Sequence, residues 1–359
     1  MKLVHTESRF PAIVIQRLSN SIIGSILLST LVFLIICGAF FAFVGQSPLE
    51  LFPAIVDAAF GSSYSWTETL LKTAPILLCA IATVLPAKLG LISVGAEGQL
   101  YFGALVGTAP VLALIDAPTG LLLPLMLFSA ALGGALWAAI SGLLKDLFAV
   151  NETISTLLLN YVAVLLVNYA VYGPWKDPSN LGWPATAPFP NAAKLPSLGS
   201  NLHFGLVLGI LAAVVLSSLL ARSRWGMALQ LMRSNRKLAQ AAGLHFGRNV
   251  VLVMAIAGAL AGIAGITETA MVQGRLQPNL SNGYGLSGFL VAWMAGQHII
   301  KIIPLSILVG GLAASADALQ LVAQLPSSSA MVMQGILFIS VLAVNGLKTH
   351  SSSKSPTIS

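Results

Sequence analysis

Long stretches without charged side chains dominate this sequence and limit what it can fold into. Eight stretches of 18 to 32 residues contain no Asp, Glu, Lys or Arg. A helix needs about 20 mostly apolar residues to cross the hydrocarbon core of a bilayer, so each of these stretches is long enough or nearly so. Two shorter stretches have a charged residue at both ends, and a flanking lysine can reach the headgroups while its stem stays in the bilayer. Ten crossing helices are therefore predicted, over residues 18–49, 73–87, 98–115, 117–144, 153–175, 195–221, 249–267, 276–300, 302–316 and 318–347.

The composition agrees with a membrane protein and excludes several other classes. Charged residues make up 8% of the chain and the mean hydropathy is +0.89, whereas soluble domains carry about 25% charged residues. A soluble enzyme, a disordered regulator and a nucleic-acid-binding protein are excluded, despite a pI of about 9.6. Cys37 and Cys79 lie in apolar stretches and have neither disulfide-framework nor metal-site spacing. The expected fold class is all-α, a polytopic integral membrane protein with about ten transmembrane helices and no metal or cofactor.

The distribution of basic residues sets the expected orientation. With both ends in the cytoplasm, 14 of the 18 Lys and Arg residues lie on the cytoplasmic side, as the positive-inside rule favours. The expected map has a cytoplasmic segment at residues 1–17, one transmembrane domain at 18–347 and a cytoplasmic tail at 348–359. Within that domain, residues 173–201 form the longest external loop and residues 222–248 the longest cytoplasmic loop. A short amphipathic helix is also expected on the external face, over residues 48–64.

The cytoplasmic loop at 222–248 carries six basic residues and no acidic ones. The orientation rule alone accounts for such a loop. The loop also predicts a short amphipathic helix that lies across the cytoplasmic face and ends at Gly243, and such an element suits docking on another protein. Its apolar members would fill a groove on that partner, and its arginines would meet acidic residues at the rim. The candidate docking residues are Gly226, Ala228, Leu229, Met232, Arg233, Asn235, Arg236 and Gly243.

Glycines interrupt two apolar segments, at residues 89–99 and 283–288. Non-helical backbone at membrane depth is tolerated only inside protein or along a cavity, and paired interruptions point to the core of a transporter. Glu97 and Gln99 stand at the first interruption and Trp293 follows the second, so all three are candidates for a solute path. The alternative for Glu97 is that it caps the N-terminus of its own helix.

A third candidate segment begins at residue 151 and carries Asn160, Tyr161 and Asn168. Asn160 and Asn168 are eight residues apart and share roughly one face of a helix. Amides and a phenol on one face suit hydrogen bonds to a polar, uncharged solute, and they suit contacts between helices equally well. These three residues complete the predicted path.

These segments resemble those of a known family. Residues 94–99, Val-Gly-Ala-Glu-Gly-Gln, are similar to a segment of the permeases of ABC importers of the branched-chain amino acid/ribose type. Residues 151–161, leading into 173–178, resemble the narrower branch that contains the nucleoside (guanosine-type) permeases. The resemblance covers residues 65–346. Three further segments follow in the family's order, at residues 225–243, 257–265 and 283–288.

The resemblance implies an ABC importer permease fold that works with other subunits in the bacterial inner membrane. Its partners would be a second permease subunit, identical or different, an ABC ATPase subunit and an extracytoplasmic solute-binding protein. The chain would contact membrane lipid but no nucleic acid. It would be no enzyme itself, since it lacks the Gly-x-x-x-x-Gly-Lys-Ser/Thr loop that binds ATP. The chain departs from the family at Ser93, where Asn is usual, at Arg233, where Gly is usual, and at Arg236, where Pro is usual.

The expected function is to form the translocation path for a neutral polar solute, most simply a nucleoside. Each unpaired charge near the bilayer centre costs roughly 2.5–3.5 kcal/mol or more, and few charges lie in the predicted spans. Simple sugars, nucleobases and flavins satisfy the same physics and stay open as alternatives. An ion-coupled secondary transporter is a rival, with Glu97, Glu268 and Asp317 as its ionisable candidates, the latter two near the outer surface. An intramembrane enzyme is disfavoured because no Ser/His pair or His/Asp/Glu cluster falls at one depth.

Overall fold

The structure is a computed structural model that describes residues 22–180, 182–194 and 204–352. The predicted N-terminal segment at 1–17, residues 195–203 and residues 353–359 of the tail lie outside the described residues. The described part of the chain is all-α, as predicted. Its helices are α1 (Ile22–Phe43), α2 (Pro48–Phe60), α3 (Ser63–Ala87), α4 (Ala96–Ala113), α5 (Thr119–Phe148), α6 (Glu152–Tyr172), α7 (Phe204–Arg222), α8 (Arg224–Ser234), α9 (Arg236–Ala241), α10 (Phe246–Glu268), α11 (Tyr284–Met294), α12 (Ile299–Ala323) and α13 (Ser329–Ser352).

Each of the ten predicted stretches contains a helix, and eight helices within the described residues are long and apolar enough to cross a bilayer. Two stretches are not among these eight: 98–115, whose helix α4 has 18 residues, and 276–300, whose helix α11 has only 11 residues. At about 1.5 Å per residue α11 is about 16 Å long, roughly half the thickness of the hydrocarbon core. The residues before it are not helical, and Gly283 directly before α11 has a left-handed φ of +80°. This stretch therefore does not cross as one continuous helix.

The boundary between the last two helices also differs from the prediction. The prediction placed it at Asp317, but α12 continues through that residue to Ala323. The Asp317 side chain is exposed, so its charge does not interrupt the helix. The helix ends where Gln324 takes a left-handed φ of +52° and Pro326 follows, because proline disfavours helical backbone in the residue before it.

The chain forms two compact units. One comprises the chain up to Ala58 together with the chain from Ser315 onwards, and in it α1 packs on α13. The other is Ala59–Ala314, and it contains every predicted path and docking residue. The predicted division into one transmembrane domain at 18–347 stays a prediction.

Helices α4, α5 and α10 form the centre of the larger unit, where small residues let the backbones touch. A side chain on Gly134 would collide with the carbonyl oxygen of Gly258, and one on Gly258 would collide with that of Gly134. A side chain on Gly262 would likewise collide with the carbonyl oxygen of Ala130. Lipid tails are as apolar as leucine, so helices in a bilayer associate through such close van der Waals contact. The glycine-rich residues 257–265 therefore serve packing.

The two ends of the larger unit differ in charge. One end, which we call the basic end, carries Lys88, Lys145, residues 222–248 and Lys301. At the other, which we call the capped end, the described part of the long loop lies over the helix ends. There the Phe189 N–H donates to the Gly274 carbonyl at 2.8 Å, and the ring joins an apolar cluster of α4, α5 and α10.

Candidate functional site

A non-helical segment at residues 89–95 separates α3 from α4, and side chains of α6 hold its backbone. The Ile92 N–H donates to Glu152 Oε1 at 3.3 Å, and the Val94 N–H donates to Thr156 Oγ1 at 3.2 Å. Glu152 and Thr156 are one helical turn apart and therefore lie on one stripe of α6. Backbone polar groups away from water need partners, and this stripe supplies them.

Asn160 continues the stripe by one more turn. Its Nδ2 donates to the Val94 carbonyl at 2.9 Å, and its Oδ1 accepts from the Gly98 N–H at 2.8 Å. The helices approach so closely that a side-chain carbon on Gly98 would lie 2.7 Å from Asn160 Cα. Both polar groups of this predicted path residue are therefore used within the protein, where they fix the first turn of α4.

Glu97 joins the two glycine-interrupted segments. Its Oε2 accepts from the Gly285 N–H at 2.7 Å, and the Ser281 hydroxyl donates to the same carboxylate. A side chain on Gly285 would collide with the backbone of Glu97. The free N–H groups and the positive end of the dipole at a helix start favour a carboxylate there. Glu97 therefore caps α11, whereas the sequence predicted a cap of its own helix as the alternative to a path role.

A second carboxylate contacts the same helix start. Glu268, at the end of α10, is 2% exposed, and the Tyr284 hydroxyl donates to its carboxylate. Lys72 of α3 lies close enough to attract that carboxylate. Two successive residues of α11 are thus held, Tyr284 by Glu268 and Gly285 by Glu97. Two of the three ionisable candidates for an ion-coupled transporter are engaged in these contacts.

Two other predicted path residues lie inside the protein. Gln99 is 2% exposed, and its Nε2 would lie 2.9 Å from a side-chain carbon on Gly95. Trp293 is half-buried on α11, with its ring centroid 5.9 Å from that of Phe289. The structure therefore groups Glu97, Gln99 and Asn160 around the start of α4, and it does not place Trp293 with them.

The outer face of α6 carries three tyrosines. Tyr161, Tyr169 and Tyr172 are 71%, 72% and 62% exposed. Asn168 is half-buried on the same side of the helix, and its Oδ1 has no hydrogen-bond partner among the described residues. We call these four residues the tyrosine face. The predicted path residues Tyr161 and Asn168 both belong to it.

The outer face of α6 also exposes aliphatic side chains such as Leu158 and Leu165, but the outer face of α7 carries no tyrosine. Its exposed large hydrophobic side chains are all aliphatic, and they are Val207, Ile210, Leu211, Val214, Val215 and Leu219. Aliphatic side chains suit contact with lipid tails, whereas a phenol or amide facing hydrocarbon would lack a hydrogen-bond partner. The tyrosine face therefore suits a water-lined path or another subunit better than lipid.

At the basic end, the structure has two short helices, α8 and α9, where the sequence predicted one, because Asn235 between them has extended backbone. Leu229 and Met232 are 0% and 2% exposed, and they pack in a cluster with Leu85, Leu89 and Met254. The prediction that these two side chains fill a partner's groove is therefore wrong. They hold α8 against the rest of the protein.

Other predicted docking residues shape the same pair of helices. Gly226 is buried against Leu220, whose carbonyl oxygen would collide with any side chain there. The half-buried Ala228 packs against the apolar cluster under α8. Asn235 Oδ1 accepts from the Leu238 N–H at 3.0 Å and so caps α9. These contacts position α8 and α9 rather than reach outward.

The outward side chains of α8 and α9 form what we call the docking face. Met227 and Leu238 are 62% and 54% exposed, so two large apolar side chains face outward among the basic residues of this loop. Arg236 is exposed, and its Cζ lies 4.2 Å from the centre of the Phe246 ring. Gly243 follows α9 with a left-handed φ of +77°, which ends the helix as predicted. A groove of about 610 Å³ beside α9 is lined by Asp146, Arg236, Gln240 and residues 243–248.

Comparison with known proteins identifies the family. Residues 65–342 match the family described as the permease component of a branched-chain amino acid transport system. The chain belongs to this family. The permease is 31% identical to the guanosine ABC transporter permease protein NupP of Bacillus subtilis, over 83% of this chain and 86% of that one.

Two further relatives cover most of the permease. It is 28% identical to the glucose ABC transporter permease protein TsgB13 of Haloferax volcanii, over 91% of this chain and 89% of that one. It is 27% identical to the nucleoside ABC transporter permease protein NupB of Lactococcus lactis, over 72% and 74%. The predicted resemblance is thus confirmed, and the chain is a polytopic permease subunit of an ABC importer in the plasma membrane.

Sequence reasoning missed several contacts of this permease. The spacing of Glu152, Thr156 and Asn160 was the available signal, because a polar residue at every fourth position of an apolar helix needs partners along one stripe. The ion pair of Glu152 with Lys145, at 2.6 Å across the turn between α5 and α6, follows from the same short spacing. The hydrogen bond from the Tyr284 hydroxyl to Glu268 joins two different helices, and no local sequence pattern predicts it.

Proposed function

We propose that this permease forms the membrane path of an ATP-driven importer for nucleosides. It works with a second permease subunit, an ATPase at the basic end and a solute-binding protein at the capped end. The basic end is cytoplasmic in this proposal, because 14 of the 18 Lys and Arg residues then lie inside. Two of the relatives named above are nucleoside or guanosine permeases, which supports the solute class.

The tyrosine face is the observation that carries the proposal. Its rings can stack on a nucleobase, and its hydroxyl and amide groups can bond to the base edge or the ribose. Stacking tolerates different bases because each base has a flat aromatic surface. The face carries no charge, which fits a neutral solute. The face either lines the path directly or meets its counterpart on the second permease subunit around that path.

Glucose is the second candidate, because the glucose permease of Haloferax volcanii matches the largest share of this chain among the relatives named above. A sugar ring can also lie on a tyrosine ring through its apolar C–H surface. It lacks an aromatic surface, however, so three exposed tyrosines on one helix favour a solute that has one.

Transport by the assembled complex tests the solute class. The permease, its ATPase and its solute-binding protein are reconstituted in vesicles, with ATP on the side of the basic end and labelled guanosine on the other. We expect ATP-dependent accumulation of guanosine, competed by unlabelled uridine and not by glucose. Accumulation of labelled glucose without guanosine transport would contradict the nucleoside proposal, and riboflavin is the third solute to compare.

Co-purification of the ATPase tests the docking face. Leu238→Asp places a charge on an exposed apolar side chain of that face, so we expect the ATPase to be lost from the purified complex while the permease is still produced. Leu114→Asp is the matched control, because Leu114 is 42% exposed at the capped end. Retention of the ATPase by Leu238→Asp would show that the basic loop only sets orientation.

A further inference from the structure

Arg233 connects α8 to the end of α3 and to the turn that follows α11. It is the next-to-last residue of α8, and its Nη1 donates to the Ala87 carbonyl at 3.1 Å and to Gln297 Oε1 at 3.2 Å. Ala87 is the last residue of α3, directly before the segment at residues 89–95. Gln297 lies in the turn that joins α11 to α12. One guanidinium of α8 thus contacts two other parts of the chain.

The geometry on the α3 side is that of a helix C-terminus held by a cation. The last carbonyls of a helix lack partners within it, and arginine side chains near that end supply donors. The Ala87 carbonyl also accepts the Gly90 N–H at 3.1 Å, so Arg233 and the first turn of the broken segment share one oxygen. Gly90 has a left-handed φ of +85°, and a side-chain carbon there would lie 3.5 Å from Arg233 Cγ.

The turn between α11 and α12 contains two successive residues with left-handed backbone. Gly296 and Gln297 have φ values of +59° and +63°, and a left-handed φ is uncommon for a residue with a side chain. Such a residue persists where its surroundings hold it, and the bond from Arg233 is one of the contacts that do so. A cavity of about 410 Å³ lies here, lined by Gly226 and Gln230 of α8 and by residues 298–301. Open space thus lies between α8 and the start of α12, next to the turn that Arg233 binds.

The charge next to Arg233 shows that attraction between opposite charges does not explain its position. Lys88 is a charged neighbour, and burial together with repulsion from Arg233 lowers the pKa of Lys88. The guanidinium stays beside another cation because a carbonyl and an amide oxygen accept its hydrogens. Arg233 is exposed even though it makes these two hydrogen bonds, so its predicted contact with acidic residues of a partner stays a prediction.

We propose that Arg233 is a positioning residue that makes α8 move the two glycine-interrupted segments together. This inference rests on the proposed function, in which the ATPase pushes on α8 and α9. Leu229 and Met232 already fasten α8 to the end of α3, and Arg233 extends that connection to the turn before α12. The segment at 89–95 then passes the movement to the α6 stripe, and the turn passes it to α11, whose start is held by Glu97 and Glu268.

Three variants test the connection in the reconstituted complex. Arg233→Ala removes both hydrogen bonds. Gln297→Asn shortens the side chain that accepts one of them, on a residue that is not part of the docking face. Asparagine tolerates the left-handed backbone at this position. We expect each to lower the guanosine transported per ATP by about tenfold, which is within the usual range of coupling between sites. The ATPase should still co-purify. The double variant should be no worse than either single one, because both substitutions break the same connection.

Several results would overturn the inference, and each is distinct from a failure of the proposed function. Loss of the ATPase in Arg233→Ala, at the level seen with Leu238→Asp, would make Arg233 a direct docking contact. Normal transport per ATP in Gln297→Asn would show that the hydrogen bond from Arg233 to the turn does not contribute to coupling. If the double variant lowers transport per ATP by the product of the two single losses, the two substitutions cause independent defects. Arg222→Ala, at the end of α7, removes one exposed basic charge at the same end and should change nothing.

A distance measurement keeps the test independent of the solute. Spin labels at Gln230 on α8 and Ile300 at the start of α12 report the separation across the 410 Å³ cavity. We expect a narrow distribution that is the same with and without ATP in the otherwise unchanged complex, and a broadened one in Arg233→Ala. A distribution unaffected by Arg233→Ala would contradict the inference even if guanosine proved to be the wrong solute.

Discussion

Helices α6 and α7 are both apolar crossing helices, of 21 and 19 residues, yet their surfaces serve different purposes. The inner stripe of α6 binds the backbone of the broken segment, and its outer face carries exposed tyrosines. The exposed large hydrophobic side chains of α7 are all aliphatic. The comparison shows that apolar length decides whether a helix crosses, whereas the distribution of polar groups around the helix decides what it contacts.

Substitution of a lysine on the outer face should show the largest difference between the two helices. A lysine near the centre of a lipid-facing helix costs roughly 2.5–3.5 kcal/mol, so Leu211→Lys should lower the amount of permease in the membrane several-fold. Tyr161→Lys lies at similar depth on α6, and we expect normal abundance with loss of guanosine uptake. Quantitative blotting and uptake on the same cells check both. Equal loss of abundance for the two variants would place the outer face of α6 in lipid.

Substitution of the two asparagines of α6 should distinguish the role of its inner stripe from that of its outer face. Asn160→Leu leaves the Val94 carbonyl and the Gly98 N–H unpaired at about 1–3 kcal/mol each, so we expect a lower melting temperature and less folded permease. Asn168→Leu breaks no hydrogen bond at Oδ1, and we expect an unchanged melting temperature with reduced uptake. Thermal unfolding in detergent checks both. A stable Asn160→Leu variant would show that the stripe does not fasten the start of α4.

The smallest expected effects concern the ring and hydroxyl of Tyr161. Tyr161→Phe removes a hydroxyl worth about 0.5–1.5 kcal/mol, which predicts a two- to tenfold weaker apparent affinity for guanosine in uptake. Tyr161→Leu also removes the stacking surface, worth about 1–3 kcal/mol per base, and should weaken uptake further. Leu211→Phe on α7 is the control and should leave uptake unchanged. If Tyr161→Leu is no worse than Tyr161→Phe, stacking plays no part and a sugar becomes the better solute.

The sequence alone predicts the α6–α7 contrast only in part. Charge-free length locates the helices, and glycines at positions 95, 98, 283 and 285 mark the two interruptions, because both signals are local. The partners of those interruptions are not local. Asn160 binds the backbone of Val94 and Gly98, some 60 residues away, so its amide looks equally suited to a solute until the fold is known.

The same reason explains the errors at the basic end and in α11. Leu229 and Met232 have the spacing of an apolar face, but the spacing does not say whether that face meets a partner or the protein's own helices. The stretch at 276–300 has the length of a crossing helix, but its glycine-rich first part is not helical. In both cases the local pattern fits two structures equally well, and tertiary contacts determine which of them forms.

Thiol accessibility along α6 and α7 tests the central claim most directly. Single cysteines replace Tyr161, Tyr169, Leu211 or Val215 in a complex whose buried Cys37 and Cys79 are changed to alanine. A charged thiol reagent that does not enter lipid is then applied with and without guanosine and ATP. The account predicts that positions 161 and 169 react, with rates that guanosine and ATP change, while positions 211 and 215 stay unreactive. Unreactive α6 positions under all conditions, or equal reactivity of the two helices, would contradict the assignment of α6 to the solute path.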